Sequence, residues 1–303
     1  MTTSTRLHDT FTIVPRGPFS LPELGTFGFG PHQPSSWDGV MRLALCLDGY
    51  RDQVGVEVRQ DRDGAVTCVA RAQAGHSLDL DTVRAQVARV LSLDHDGEGY
   101  VAIGQRDPIV RRLLAVAPGL RPPLFYSPYE AAAWGVLSAR RPAQQMAAVR
   151  RQLNEAHGVT FELAGERHAA FPTPEQLLAV TEAPGLSADK IDRLHGVARA
   201  AARGQLDASR LLGIGPTAAT AEVQSVNGIG PFYAALIVVR GTGFTDVLAT
   251  NEPKLLALAG ELYGLGRPAS ADELAEIAEQ WRPFRTWVSV LMRAAGPRLT
   301  SGA

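Results

Sequence analysis

The chain has 303 residues, of which 45% are hydrophobic and 20% charged, and its formal net charge is −1 at pH 7. This composition is typical of a globular protein, and the length suffices for two domains or for one domain with a divided core. No apolar run approaches the roughly 18 residues of a membrane-spanning helix, and residues 1–6 lack the apolar centre of a signal peptide. We therefore expect a cytoplasmic protein with no membrane partner.

Cysteine and histidine are too sparse for a metal centre or a disulfide framework. Cys46 and Cys68 are the only cysteines, and both lie in apolar, strand-like segments. They are predicted to be buried free thiols in a reducing compartment. The seven histidines form no H-x-x-x-H pair and no mixed cluster with cysteine. The sequence predicts neither a metal nor an organic cofactor.

The first 120 residues combine strand and helix signals. Apolar residues alternate over 43–47 and 54–58, and they do so again at Val66 and Cys68, after the turn-forming sequence of residues 61–64. This spacing predicts a β-hairpin within an antiparallel sheet. Apolar residues at helical spacing follow over 83–91, behind acidic residues that are suited to a helix start. Residues 1–120 are thus predicted to form a domain with a small antiparallel sheet and a helix.

The remainder of the chain is predicted to be helical. Asp107 and Pro108 form a helix-start signal, and residues 127–130, 173–176 and 270–273 each have the sequence of a capping box. Strand alternation is nearly absent after residue 125. We therefore predict an all-helical domain over residues 121–303, and an α+β fold class for the whole chain.

One sequence, Val-Asn-Gly-Ile-Gly-Pro at residues 226–231, separates two of the predicted helices. Glycines on both sides of Ile229 would let backbone amides approach another surface closely, and the helix that follows adds partial positive charge at its N-terminus. Such a turn can hold a DNA phosphate without a lysine, and the chain has only two lysines. The alternative is a tight corner between helices, in which the glycines serve geometry alone.

Several segments resemble one family in order and spacing. Residues 228–234, followed by Arg240-Gly241 and Asp246-Val247, resemble the helix–hairpin–helix DNA glycosylases. The sequence Trp-Arg-Pro-Phe-Arg-Thr-Trp at residues 281–287 is similar to the 3-methyladenine DNA glycosylase II branch, as are residues 127–137 and 171–174. The resemblance covers about residues 105–295. It implies a monomer, associated with the nucleoid in a bacterium, that flips a damaged base out of double-stranded DNA and cleaves its N-glycosidic bond.

The resemblance also implies which residues form the site. Gly228, Ile229 and Gly230 would bind DNA, and their carbonyls could hold a monovalent cation. Glu252 stands where the family has its catalytic aspartate, whereas Asp246 matches a structural position. Glutamate keeps the charge but places it about 1.5 Å further from the backbone. The alternative is that Asn251 or Glu252 only caps the helix that Pro253 begins.

Other positions depart from the family in ways that affect the chemistry. Phe232 occupies the position of the lysine with which some relatives form a Schiff base, which implies a monofunctional hydrolase. Ala139 replaces a glutamine, and Arg140 stands at the position of the residue that wedges into the DNA. Arg140 is expected to bind DNA, by filling the gap or contacting phosphate, and the alternative is that it is only surface charge. Arg293 occupies a position where relatives present an aromatic ring to the flipped base. A cation there would repel a cationic base, which favours a neutral lesion or an altered pocket.

Phe232, Arg293 and Trp134 are therefore the residues predicted to surround the base. Two functions remain open. The first is a monofunctional glycosylase for alkylated or otherwise damaged bases in base-excision repair. The second is a catalytically weak or inactive protein that binds damaged DNA and retains the fold, which the Glu252, Ala139 and Arg293 departures favour. A general nucleic-acid module without base flipping is disfavoured, since the family spacing persists.

Overall fold

A computed structural model describes residues 8–27, 37–73, 75 and 77–300. Residues 1–6, in which the sequence predicts no signal peptide, lie outside the described residues. The strands of the described chain are β1 (His8–Ile13), β2 (Met41–Cys46), β3 (Gln53–Gln60), β4 (Val66–Ala72), β5 (Thr160–Leu163) and β6 (Glu166–Ala169). The helices of the first half are α1 (Leu21–Thr26), α2 (Leu80–Val90), α3 (Gly97–Val101), α4 (Ile103–Arg106), α5 (Pro108–Val116), α6 (Pro128–Ser138) and α7 (Ala143–His157).

The remaining helices follow the β5–β6 hairpin. They are α8 (Pro174–Leu178), α9 (Ala188–Ala202), α10 (Ala208–Ile214), α11 (Pro216–Gln224), α12 (Pro231–Thr242), α13 (Pro253–Leu262), α14 (Ala271–Ala278) and α15 (Arg285–Thr300), with a short 3₁₀ turn at Glu279–Trp281. No helix among the described residues is long and apolar enough to cross a membrane.

The N-terminal sheet is antiparallel, with the strand order β1-β4-β3-β2. The predicted β3–β4 hairpin is confirmed: Val58 pairs with Cys68, and Gly64 takes a φ of 89° in the turn. Helix α2 packs against this sheet, and the Asp79 carboxylate caps its start by accepting the amide of Thr82. Cys68 is buried here, and burial raises the pKa of its thiol to about 12. Both cysteines are free and buried, as predicted.

The helices form two groups around separate apolar cores. One core is centred on α6 and includes residues of α7, α9, α11 and α12. The other joins α3–α5 to α13–α15, through residues such as Leu113 and Leu291. Residues before and after position 120 therefore share the second core, and the boundary at residue 120 stays a prediction. The predicted α+β class, a small antiparallel sheet followed by helices, is confirmed.

The expectation of an all-helical region from residue 121 onward needs one correction. Strands β5 and β6 form a two-stranded antiparallel hairpin within it. Each strand has four residues, which is too short for alternation to show in the sequence. The hairpin is held by packing: Phe161 lies against Gly55 of β3, where an added Cβ would be 2.7 Å from the ring. This contact joins the helical part of the chain to the sheet.

The capping boxes at residues 173–176 and 270–273 are complete. The one at residues 127–130 is only half formed. Ser127 accepts the amide of Glu130, but the Glu130 carboxylate pairs with the Arg150 guanidinium and accepts the amide of Cys46 at 3.2 Å. Glu130 therefore ties α6 to α7 and to the end of β2. Burial raises the pKa of Glu130, and Arg150 opposes that rise.

Candidate functional site

The glycine turn connects α11 to α12 at the surface. Gly228 has a φ of 90°, a left-handed conformation that favours glycine, and an added Cβ would lie 3.0 Å from Cδ of Arg193. Ile229 is buried and donates its amide to the carbonyl of Val226 at 3.0 Å, which fixes the turn. An added Cβ on Gly230 would meet nothing within 4 Å. The fold of the protein thus favours glycine at position 228, whereas position 230 has room for a larger residue.

Helix α12 begins directly after this turn, so its first amides have no acceptor within the helix. The helix is anchored to the end of α6 by Tyr233, whose hydroxyl lies 3.0 Å from the hydroxyl of Ser138. Gly135 makes room for the ring, since a Cβ there would lie 3.1 Å from Tyr233 Cδ1. The turn and the loop that follows α6 are therefore held in a fixed relation.

Four basic residues lie on that loop and on the helix α9 beside it: Arg140 and Arg141 on the loop, and Lys190 and Arg193 on α9. Arg140 is exposed and takes a φ of 57°, which is uncommon for a residue with a side chain. Lys190 donates its Nζ to the carbonyls of Val136 at 2.8 Å and Leu137 at 2.5 Å, at the end of α6. Burial, followed by the charges of Arg141 and Arg193, lowers the pKa of Lys190.

We call these four residues the basic strip. Arg193 pairs with Asp189 at 3.1 Å, and the basic strip together with Asp189 still carries an excess of positive charge beside the turn, in a chain whose net charge is −1. Of these four residues, the sequence predicted a functional role only for Arg140. Lys190 is one of only two lysines, which draws attention to it, but nothing in the sequence indicates that it lies near the turn.

Glu252 directly precedes α13, and its carbonyl accepts the amide of Leu256 at 3.0 Å. Its carboxylate makes no capping hydrogen bond, so the reading in which Glu252 serves only as a cap has no support in the geometry. Instead, its Oε2 lies 3.3 Å from Nε of Arg293 on α15. The side chains of Glu252 and Arg293 are 27% and 36% exposed, so the pair is half-buried at an accessible surface. The structure therefore brings together two residues that the sequence singled out separately.

Asp246 fixes the segment that leads to Glu252. Its Oδ1 accepts Nε of Arg285 at 2.8 Å, and its Oδ2 accepts Nη1 of Arg282 at 2.9 Å. Next to it, the Val247 amide donates to the hydroxyl of Thr286 at 2.9 Å. Both oxygens of the Asp246 carboxylate thus accept hydrogen bonds within the protein, which agrees with the structural role expected for Asp246.

The two aromatic residues predicted to surround the base lie in different environments. Phe232 is 61% exposed on the first turn of α12, with its ring centroid 5.3 Å from that of Tyr233. Trp134 is 5% exposed and packs in the core around α6. The Phe232 ring is therefore accessible from solvent, whereas the core encloses almost all of Trp134.

No group of three or more histidine, cysteine, aspartate or glutamate side chains that could hold a metal ion occurs in the described part of the chain. A monovalent cation on the turn would need backbone carbonyls. That of Gly230 already accepts the amide of Ala234 at 2.9 Å, which leaves it one lone pair for a cation. The cation site at Gly228 and Gly230 stays a prediction.

Two curated proteins resemble this chain over most of its length. The chain is 24% identical over 256 residues to the DNA-3-methyladenine glycosylase of Bacillus subtilis, which covers 83% of this chain and 84% of that protein. It is 30% identical over 217 residues to AlkA of Mycobacterium tuberculosis, described as a bifunctional transcriptional activator and DNA repair enzyme. That match covers 70% of this chain but 42% of the mycobacterial protein. No family model matches the chain.

Among solved structures, the 3-methyladenine DNA glycosylase of Archaeoglobus fulgidus superposes with a TM-score of 0.76 at 23% identity. The superposition covers 97% of this chain and 100% of that structure. This likeness shows that the chain has the fold of the helix–hairpin–helix glycosylases. The two sequence relatives confirm the predicted resemblance to this superfamily and to its 3-methyladenine branch.

Proposed function

We propose that this protein is a monofunctional DNA glycosylase that acts as a monomer in base-excision repair. It binds double-stranded DNA, flips an alkylated or otherwise damaged base out of the helix and hydrolyses the bond between base and sugar. The named activity of the sequence relatives supports the reaction class. The observation that carries the proposal is the Glu252 carboxylate, which lies accessible at the start of α13, free of any capping role.

DNA binding is assigned to the turn and the basic strip. The amides at the start of α12 and the backbone around Gly230 offer hydrogen-bond donors to a phosphate, in a region of partial positive charge. Arg140 and Arg141, at the loop after α6, would contact the backbone or fill the space that the flipped base leaves. Their planar guanidinium groups suit both contacts.

Gly230→Ala isolates the DNA contact from the folding of the protein. An added methyl group meets nothing within 4 Å in the free protein, so the fold should be unaffected. It would stand between the backbone and an approaching phosphate. We expect duplex affinity to fall about tenfold, as for the loss of one charge-assisted hydrogen bond, measured by fluorescence anisotropy at fixed salt.

The matched control for this variant is Gly213→Ala. Gly213 lies on α10, where an added Cβ also meets nothing within 4 Å. We expect wild-type affinity for this control. Wild-type affinity for Gly230→Ala as well would refute the assignment of the turn to DNA binding.

The chemistry assigned to Glu252 is electrostatic. Cleavage of the N-glycosidic bond leaves positive charge on the sugar, and a carboxylate close to it stabilises that charge and orients the attacking water. The contacts of Asp246 with Arg285 and Arg282 hold the segment that carries Glu252 in place. Fixed geometry of this kind matters because a displacement of about 1 Å can cost on the order of a hundredfold in rate.

We propose that the enzyme lacks lyase activity through the turn, since Phe232 has no amine. The chain has two lysines. Lys190 binds carbonyls of α6, and Lys254 lies exposed in the first turn of α13. We expect that borohydride added during turnover on damaged DNA traps no covalent protein–DNA complex. A trapped complex would overturn the monofunctional assignment. If the complex formed with wild type but not with Lys254→Ala, Lys254 would be the residue that forms it.

The function itself is tested by base release. Duplexes that carry 7-methylguanine or hypoxanthine at one position are incubated with the protein, and abasic sites are then cleaved with alkali. Strand cleavage that depends on both the protein and the lesion is the expected result. Tight binding to the damaged duplex without cleavage would instead establish the alternative, an inactive protein that binds damaged DNA.

A further inference from the structure

The ion pair between Glu252 and Arg293 adds a second charge to the site. Nε is the guanidinium nitrogen that meets the carboxylate, at 3.3 Å from Oε2. A guanidinium has five N–H donors, so pairing through Nε leaves the two terminal amino groups for another acceptor. The side chain is 36% exposed, so an acceptor can reach it. Glu252 and Arg293 thus offer one negative and one positive group side by side.

These two charges suit one class of leaving group. A purine that is alkylated on a ring nitrogen is cationic and departs as a neutral molecule, so it needs no positive partner and is repelled by one. A neutral purine departs as an anion, and a guanidinium that donates hydrogen bonds to its ring nitrogens or exocyclic oxygen stabilises that anion. A site with a carboxylate alone therefore favours cationic alkylated purines, and a site with both charges favours neutral purines.

We propose that Arg293 is the specificity-determining residue of this enzyme and directs it to neutral damaged purines, of which hypoxanthine is the simplest. The inference rests on the proposed function, because it assigns a substrate class to the same site. Arg293 also positions Glu252, since the pair links the start of α13 to α15. If Arg293 only positioned Glu252, its loss would slow the release of all lesions equally. If Arg293 acts on the departing base, the effect of its loss depends on the charge of that base.

The balance of the reaction gives each residue one task. The bond between C1′ and N9 breaks, and its electron pair goes to the purine, whose negative charge Arg293 stabilises. A water oxygen bonds to C1′, whose positive charge Glu252 stabilises, and one water proton passes by way of Glu252 to solvent. The purine anion takes a proton from solvent. The products are the free base and an abasic site, with no oxidant or reductant involved.

The test compares two lesions and three proteins. Single-turnover release of hypoxanthine and of 7-methylguanine is measured from otherwise identical duplexes by wild type, Arg293→Gln and Arg293→Lys. We expect wild type to release hypoxanthine. Arg293→Gln should release it about tenfold to a hundredfold more slowly, the effect of one hydrogen bond to a charged group. It should release 7-methylguanine as fast as wild type or faster, and Arg293→Lys should retain the preference of wild type.

Each contrary outcome has one meaning. Equal slowing of both lesions by Arg293→Gln would leave Arg293 a structural or positioning residue and overturn the selectivity. Release of 7-methylguanine but not of hypoxanthine by wild type would overturn the inference and leave the proposed function intact. Release of neither base by wild type would overturn both. Thermal unfolding of each variant shows whether it is folded. If Arg293→Gln does not fold, Arg293→Met, which also removes the charge, replaces it in the comparison.

Discussion

Glu252→Gln is expected to release damaged bases on the order of a hundredfold to a thousandfold more slowly than wild type and to bind the same duplex equally well. Glutamine keeps the shape of the side chain and removes the negative charge. The loss follows because the charge on the sugar arises only at the transition state, so its stabilisation contributes to rate rather than to affinity. The measurement is single-turnover base release, with the dissociation constant determined under the same conditions.

Glu261→Gln is the matched control for this prediction. Glu261 lies on the same helix, α13, and is exposed. The same change of charge there should leave base release unaffected. If Glu252→Gln retained wild-type rates, another group would have to stabilise the sugar, and the assignment of Glu252 would be wrong. A variant that lost both rate and affinity would point to disturbed structure, which thermal unfolding would show.

The second large effect concerns stability. Arg150→Met should lower the free energy of unfolding by about 3–5 kcal/mol, because it leaves the buried Glu130 carboxylate without its ion-pair partner. Methionine fills much of the volume of the side chain, so the loss reflects the charge more than a cavity. Arg150 also lies 5.3 Å from the centroid of the Phe171 ring, and this contact contributes to the loss. Urea unfolding at several pH values is the measurement.

The pH dependence of that deficit has a defined sign. Burial already raises the pKa of Glu130 in the folded protein, and removal of Arg150 takes away the group that opposes the rise. When the pKa of a carboxyl group is higher in the folded state than in the unfolded state, the protein becomes less stable as the pH rises above the pKa of the unfolded state. The deficit of Arg150→Met should therefore be small below the ordinary glutamate pKa of 4.5 and grow above it.

A double variant provides the control. Glu130→Gln combined with Arg150→Met removes both charges and should be closer to wild type than Arg150→Met alone, since no unpaired charge stays buried. Additive losses in the double variant would show that the two side chains do not act as a pair. A pH-independent deficit in the single variant would contradict the burial of an ionised carboxylate.

Local sequence signals predicted much of this fold. The glycine turn, the helix starts at Asp107 and Ser270 and the hairpin at Gly64 all depend on residues within a few positions of one another. The backbone requirement is local in each case, so the sequence displays it directly. The family resemblance added the order of the helices and the position of Glu252.

What the sequence did not reveal depends on contacts between distant segments. Glu252 and Arg293 are 41 positions apart, and only the packing of α13 against α15 brings them together. Lys190 joins the end of α6 from a helix more than 50 residues away. The β5–β6 hairpin is too short for its alternation to stand out, and its packing against Gly55 stabilises it. In each case the determining interaction is tertiary.

The central claim is that this chain cuts the bond between a damaged base and its sugar and does not merely bind the lesion. Mass spectrometry of the complete reaction mixture tests it most directly, with duplexes that each carry hypoxanthine, 7-methylguanine or another damaged base and an excess of wild-type protein. We expect free hypoxanthine together with an intact strand that carries one abasic site. A bound duplex in which hypoxanthine, 7-methylguanine and other damaged bases all remain attached would contradict it.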